Sequence, residues 1–192
     1  MAKNREFKQD RQTTGLLKKL YLTPAQRRTL LKWTLYSLIL LLLSVVQDVI
    51  LCRIHFFGAT TDLVPCGIFL VCLLESSDGG CVFSLVAATL YLFSGTAPGP
   101  YCIVFIVVLS VLTTAFRHGY LQGSFSAAML CCSVAIMVYE MLVFAIGLFL
   151  GLTNLSRIGI FALTGGLTLL VLPLLYPVLL SVKKIGGDPW KE

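Results

Sequence analysis

The chain has 192 residues, the length of one ordinary domain. Hydrophobic residues make up 57% of it and charged residues only 12%, about half the charged share of a typical soluble domain. This composition excludes a soluble enzyme, a soluble nucleic-acid-binding domain, a disordered tail and a disulfide-rich secreted module, in spite of the net charge of +6. With a mean hydropathy of +0.90, the chain is predicted to be an integral membrane protein.

Basic residues are concentrated at the two ends of the chain. Nine of the fifteen precede the first long apolar run and three follow the last, which leaves Arg53, Arg117 and Arg157 in between. Basic segments next to membrane spans are held on the cytoplasmic side, where anionic lipid attracts them. We therefore expect a cytoplasmic N-terminal segment over residues 1–32, a membrane domain over 33–182 and a short cytoplasmic tail over 183–192.

The N-terminal segment contains one helix signal, Thr23-Pro24, with threonine as the N-cap and proline at the first helical position. A few leucines before it, such as Leu16 and Leu17, interrupt the polar sequence. Two interpretations remain open: an amphipathic helix on the membrane surface, or a disordered basic tail that only sets the topology.

Six spans are predicted, in an all-α polytopic fold, and an even number places both basic termini on the same side. The second apolar run, Leu63–Leu74, covers about 18 Å at 1.5 Å per residue, against ~30 Å of hydrocarbon. It therefore either spans with help from its polar flanks or forms a re-entrant hairpin. Glycine and proline in Ser94–Pro100 separate two spans, and Pro173 and Pro177 are expected to kink the last. The predicted spans are 33–52, 62–76, 79–94, 100–116, 124–150 and 160–182.

No catalytic constellation is apparent, so we predict neither enzymatic activity nor a cofactor or metal site. His55 and His118 fall at opposite membrane faces in this topology, and no phosphate-binding, hydrolase or metalloprotease motif occurs. The seven cysteines are odd in number and lack a CxxC pair. They are interpreted as small buried hydrophobic residues, with palmitoylation near a span end as the alternative.

Asp48 and Glu140 are the most informative residues, because an ionisable group within a span costs at least ~2.5–3.5 kcal/mol and marks a candidate site. Counted along outward-running helices, Asp48 lies about 22 Å and Glu140 about 24 Å from the inner edge. These similar depths predict an intramembrane polar site formed by Asp48, Glu140 and the nearby Arg53. The alternatives are a structural pairing, an ion or partner site, and contact with lipid headgroups.

Small residues recur every four positions in the third span, at Gly80, Ser84 and Ala88. Such a ladder lets membrane helices approach closely. We expect it to serve packing within the chain, with oligomerisation as the alternative.

The order of these features resembles the MreD family of bacterial rod shape-determining proteins, over roughly residues 33–185. A basic start and a leucine-rich span precede the resembling segments, which are Gly58-Ala-Thr-Thr-Asp62, Ser94-Gly95 with Pro98-Gly99 before Tyr101, Tyr139-Glu140, and Leu172-Pro-Leu-Leu-Tyr176. The resemblance implies a non-enzymatic scaffold of the cell-wall elongation complex in the inner membrane, which positions lateral peptidoglycan synthesis and maintains rod shape. The partners that it implies are MreC, the actin-like MreB, and RodA with a penicillin-binding transpeptidase, in addition to membrane lipid and without nucleic acid.

The resemblance also implies a fold similar to the substrate-binding subunits of energy-coupling-factor vitamin transporters. The alternative function is therefore capture of a small molecule for uptake. Such subunits typically carry an Ala-x-x-x-Ala docking motif in the first span, and Trp33–Cys52 contains no alanine. The scaffold is the favoured hypothesis.

Overall fold

The computed structural model describes residues 24–54, 57–75, 77–95, 97–120 and 125–185, and this part of the protein is all-helical. Short 3-10 turns at Leu51–Arg53 and Leu155–Arg157 follow the first helix and precede the last. The predictions for residues 1–23 and 186–192 lie outside the described residues. The described residues form six helices: α1 Pro24–Val49, α2 Leu63–Leu74, α3 Ser77–Phe93, α4 Tyr101–Tyr120, α5 Phe125–Phe149 and α6 Ile158–Ile185.

The helix limits agree with the main local signals of the sequence. The first helix begins at Pro24, where proline is tolerated because the first helical N–H has no intrahelical partner. It continues to Val49, so residues 24–32 extend the first helix and do not form a separate surface helix. The break between Phe93 and Tyr101 falls at the predicted glycine- and proline-rich segment. Helix α6 runs through both Pro173 and Pro177.

Three helical stretches of the described chain are long and apolar enough to cross a membrane: Gln26–Arg53, Phe125–Phe149 and Leu155–Ile185. The remaining helices are apolar but shorter by the same measure. Large apolar side chains cover the outside of the bundle, as Leu41, Val134 and Leu170 illustrate with exposures of 62%, 53% and 70%. An outward-facing apolar surface of this kind suits lipid, and the protein is membrane-embedded.

Helix α2 is the centre of the bundle. All twelve of its residues are buried, and it contacts each of the other five helices. Those five surround it in the order α1, α6, α5, α4, α3, and the contact between α3 and α1 is the weakest in this ring. The protein shields α2 from lipid, which explains how a helix of about 18 Å is accommodated. The end of the bundle where α1 begins and α6 ends is called the basic end, and the opposite end the loop end.

Small residues bring α3 close to α2. A Cβ atom on Gly80 would lie 3.3 Å from the Cα of Cys72, and the Cys72 thiol donates to the carbonyl oxygen of Gly80 at 3.2 Å. Ser84 and Ala88 are completely buried in the same helix. The structure thus places the predicted ladder inside the protein, where close backbone approach increases van der Waals contact.

At the basic end, a buried ion pair ties α1 to the end of α2. The Lys32 Nζ lies 2.6 Å from Oε2 of Glu75, with side-chain exposures of 12% and 6%. The hydroxyl of Tyr36 donates to the other oxygen, Oε1, at 2.9 Å. Both carboxylate oxygens therefore have a donor, which offsets the cost of burying the charge.

Candidate functional site

The start of α2 lies deep in the bundle, beneath the loop end. The first N–H groups of a helix have no intrahelical acceptor, and inside a membrane there is no water to accept their hydrogen bonds. Here Asp62 N–H donates to Oγ1 of Thr168 at 3.1 Å, and Val64 N–H donates to Oε1 of Gln47 at 3.0 Å. Thr168 is ten residues into α6, or about 15 Å from its first residue. Side chains from two neighbouring helices thus hold the start of α2 below the loops.

This recessed start brings two acidic side chains together. Asp62 and Glu140 both line one cavity at this end of the bundle. Two carboxyl groups that share a buried site do not both ionise readily, because their like charges repel each other; such a pair holds one proton and one negative charge. Glu140 is only 3% exposed, and its Oε1 has no hydrogen-bond partner among the described residues. The pair therefore retains one buried acceptor that nothing in the described chain satisfies.

Glu140 points inward because of its position on the buried face of α5. Buried residues recur on this helix at the three- and four-residue spacing of one helical face, and Glu140 follows Tyr139 in that pattern. The buried set comprises Ala128, Cys132, Ala135, Ile136, Tyr139, Glu140, Val143, Phe144 and Gly147. Glu140 is its charged member, so burial of the α5 face necessarily buries this carboxyl group.

A cavity of about 310 Å³ contains both carboxyl groups. It reaches the loop end, because its wall includes residues from each of the three connections there, at Gly58, Pro98 and Thr153. Six of its lining residues carry polar side chains: Thr60, Asp62, Glu140, Thr153, Thr164 and Arg157. The cavity thus combines an acidic floor, hydroxyl groups on its wall and an exposed guanidinium group.

The end of α5 determines where Thr153 lies. Gly151 adopts a φ of +70°, the left-handed conformation that commonly ends a helix. The N–H groups of Leu152 and Thr153 both donate to the carbonyl oxygen of Gly147, at 2.8 and 3.2 Å. A Cβ atom on Gly147 would lie 3.1 Å from Oγ1 of Thr153. Glycine at 147 and 151 therefore folds the chain back and brings the Thr153 hydroxyl to the cavity.

The three residues of the predicted polar site do not meet. Glu140 lines the same cavity as Asp62, whereas Oδ2 of Asp48 lies 3.5 Å from the hydroxyl of Ser44 on its own helix. Arg53 is exposed in the turn after α1. Neither Asp48 nor Arg53 lines the cavity that contains Glu140. The predicted group is therefore corrected: equal depth along two helices did not place their side chains on facing surfaces.

Asp62 and Arg157 are the site residues that sequence reasoning missed. In the sequence, Asp62 stands at the polar flank of a short predicted span, and Arg157 is one of three basic residues between the two terminal clusters. A usable signal was present, since a twelve-residue helix among longer ones must begin or end below its neighbours. An acidic residue directly before such a helix is then expected at depth in the bundle.

The described side chains include no group of three or more histidine, cysteine, aspartate or glutamate residues that could hold a metal ion. All seven cysteines are free, and four of them are buried. The side chains of His55 and His118 lie outside the described part, so their predicted separation stays a prediction.

A second cavity, of about 400 Å³, lies between α1 and α3. It occupies the weakest contact of the ring, and its lining includes Leu40 and Leu41 from α1 and Val86 and Leu90 from α3. Leu41, Val86 and Leu90 are each more than half exposed. This α1–α3 groove is therefore mainly apolar and opens sideways on the outer face of the bundle.

A scan of protein-family models and searches of curated proteins and of solved structures found no match to this chain.

Proposed function

We propose that the protein is a non-enzymatic scaffold of the bacterial cell-wall elongation complex, located in the inner membrane with both termini in the cytoplasm. It would hold membrane partners in place for lateral peptidoglycan synthesis, and the chemistry would belong to those partners. The partners follow from the resemblance to the MreD family: MreC, MreB, and RodA with a penicillin-binding transpeptidase. The structural observation that carries the proposal is the α1–α3 groove.

The groove suits a partner's membrane helix better than a water-soluble ligand. Its lining is mainly apolar, and it opens between two helices and not at a loop. A helix pressed into this gap would add van der Waals contact, which drives helix association in lipid. It would also cover exposed apolar residues of α1 and α3 and strengthen the weakest contact of the ring.

Matched tryptophan substitutions test the groove. Val86 lines it and Val134 lies on α5, and both are 53% exposed. We expect Val86→Trp to reduce copurification of RodA or MreC from mild detergent by about tenfold or more, and Val134→Trp to leave it unchanged. Equal recovery of wall-synthesis proteins with both variants would refute the groove as the docking face. Recovery of none with the unmodified protein would refute the scaffold.

The charge distribution supports the proposed orientation. Arg27 and Arg28 at the start of α1, with Lys183 and Lys184 at the end of α6, lie at the same end of the bundle and would face the cytoplasm. Cys52 is exposed at the opposite end. We expect a membrane-impermeant maleimide to label it in spheroplasts, with Cys52→Ser as the control. Labelling that requires membrane permeabilisation would reverse the orientation.

The polar cavity at the loop end favours the alternative function, capture of a small molecule for uptake. The same purification separates the two functions: an energy-coupling ATPase pair in place of wall-synthesis proteins would support the transport subunit.

A further inference from the structure

The polar cavity contains an acceptor that the described protein leaves unsatisfied. Oε1 of Glu140 is buried and has no hydrogen-bond partner among the described residues. Glu140 is only 3% exposed and lines the cavity. Buried polar groups in folded proteins nearly always have a partner, and each exception calls for an explanation. A ligand group that donates hydrogen bonds at this position would supply the missing partner.

A primary ammonium group fits this position. It carries three N–H donors and a positive charge, which complements a carboxyl pair that shares one proton and bears one negative charge. The Thr60 and Thr164 hydroxyls on the cavity wall offer further acceptors. A metal ion fits less well, since Asp62 and Glu140 are not part of any group of three metal-ligating side chains in the described chain.

Arg157 indicates which chemical group the ligand carries at its other end. Its side chain lines the same cavity and is exposed, so it can meet a carboxylate of an entering molecule through paired hydrogen bonds. The cavity then presents one net negative charge on its floor and one positive charge from Arg157. A volume of about 310 Å³ is at the small end of the range for ligand sites.

We propose that this cavity binds a small zwitterion of the amino-acid type, with its ammonium group at Glu140 and Asp62 and its carboxylate at Arg157. The inference goes beyond the scaffold and does not depend on it, because the cavity and the α1–α3 groove share no lining residue. A scaffold with this site would respond to a small molecule, and a transport subunit would carry it.

The test uses the full chain purified in detergent and the twenty proteinogenic amino acids as probes. We expect at least one to raise the thermal transition in a concentration-dependent manner, with a Kd on the order of 1 mM or tighter. The N-acetyl derivative of that amino acid should lose this effect because its ammonium group is blocked. Its decarboxylated amine should bind about tenfold more weakly because it cannot engage Arg157.

Three variants assign the contacts. Glu140→Gln should weaken binding of the best amino acid about tenfold or more. Arg157→Gln should reduce the affinity for the amino acid to that for its decarboxylated amine, and should leave the affinity for the amine unchanged. Asp48→Asn, outside the cavity, should change neither. Because Arg157 is exposed, its variant is expected to fold even if Glu140→Gln does not.

Three results would overturn the proposal. They are no stabilisation by any amino acid, equal binding of the N-acetyl derivative, or an unchanged affinity of the best amino acid in Arg157→Gln. None of them bears on whether wall-synthesis proteins copurify, so failure of this inference is distinguishable from failure of the scaffold.

Discussion

Replacing Glu75 by glutamine at the basic end should destabilise the fold strongly. In the native protein Lys32 Nζ lies 2.6 Å from Oε2 of Glu75, and the Tyr36 hydroxyl donates to Oε1. Glutamine keeps one oxygen that can accept from Tyr36, but its amide nitrogen then faces the Lys32 ammonium group, donor against donor. The substitution leaves a positive charge that is 12% exposed without its counter-ion.

The expected loss is about 3 kcal/mol. Removing one partner of a buried ion pair costs roughly 3–5 kcal/mol. The lower end applies, because Lys32 retains slight exposure and its Nζ lies 5.4 Å from the ring centroid of Trp33, a contact worth about 0.5–2 kcal/mol. A loss of about 3 kcal/mol lowers the ratio of folded to unfolded protein roughly a hundredfold. Titration with SDS in mixed micelles would measure it as a change in the free energy of unfolding.

The double variant Lys32→Gln/Glu75→Gln is the decisive control. Its two amides can hydrogen-bond to each other without any buried charge, so it should recover most of the stability lost in Glu75→Gln. Arg28→Gln, on the exposed surface of the same helix, should leave stability unchanged. The reasoning fails if the stability of Glu75→Gln remains within about 0.5 kcal/mol of that of the native protein. It also fails if the double variant loses as much stability as Glu75→Gln and Lys32→Gln lose together.

Two further predictions concern the packing and capping of α2. Gly80→Ala should cost about 1–3 kcal/mol of stability, because its Cβ would press on the backbone of Cys72. The control Gly166→Ala, whose Cβ meets nothing within 4 Å, should stabilise α6 by about 0.5–1 kcal/mol. Equal changes in the free energy of unfolding by SDS titration would contradict the close α2–α3 approach. Gln47→Leu should cost about 1–3 kcal/mol by leaving the Val64 N–H without an acceptor, and should speed hydrogen exchange at the start of α2. Gln47→Glu keeps an acceptor oxygen and should slow that exchange again; identical exchange in both variants would show that Gln47 does not cap the helix.

Local signals in the sequence were sufficient for the helices. The start at Pro24, the break between Phe93 and Tyr101 and the short helix Leu63–Leu74 all agree with prediction. Each depends on a few adjacent residues: proline at a first helical position, glycine and proline between apolar runs, or the length of one such run. These features require no knowledge of how the helices pack.

The polar site could be predicted only in part. The rarity of charge within spans singled out Glu140 correctly as a buried acidic residue, because hydrocarbon penalises charge wherever the helix lies. Its partner was predicted incorrectly. Counting residues gives the depth of a side chain along its helix, but not the direction in which it points or which helix lies opposite. Asp48 has a suitable depth but lies next to Ser44 on its own helix, whereas Asp62, just before α2, lines the same cavity as Glu140.

The sequence by itself determined that this is a helical membrane protein, where most of its helices begin and end, and that most of its basic residues lie at the two chain ends. These properties follow from local composition, because hydropathy and helix signals act over a few turns. Only the tertiary structure decided that α2 lies at the centre of a ring of five helices, and that its recessed start places Asp62 in one cavity with Glu140 and Arg157. That arrangement depends on contacts between residues far apart in the chain, which no local pattern encodes.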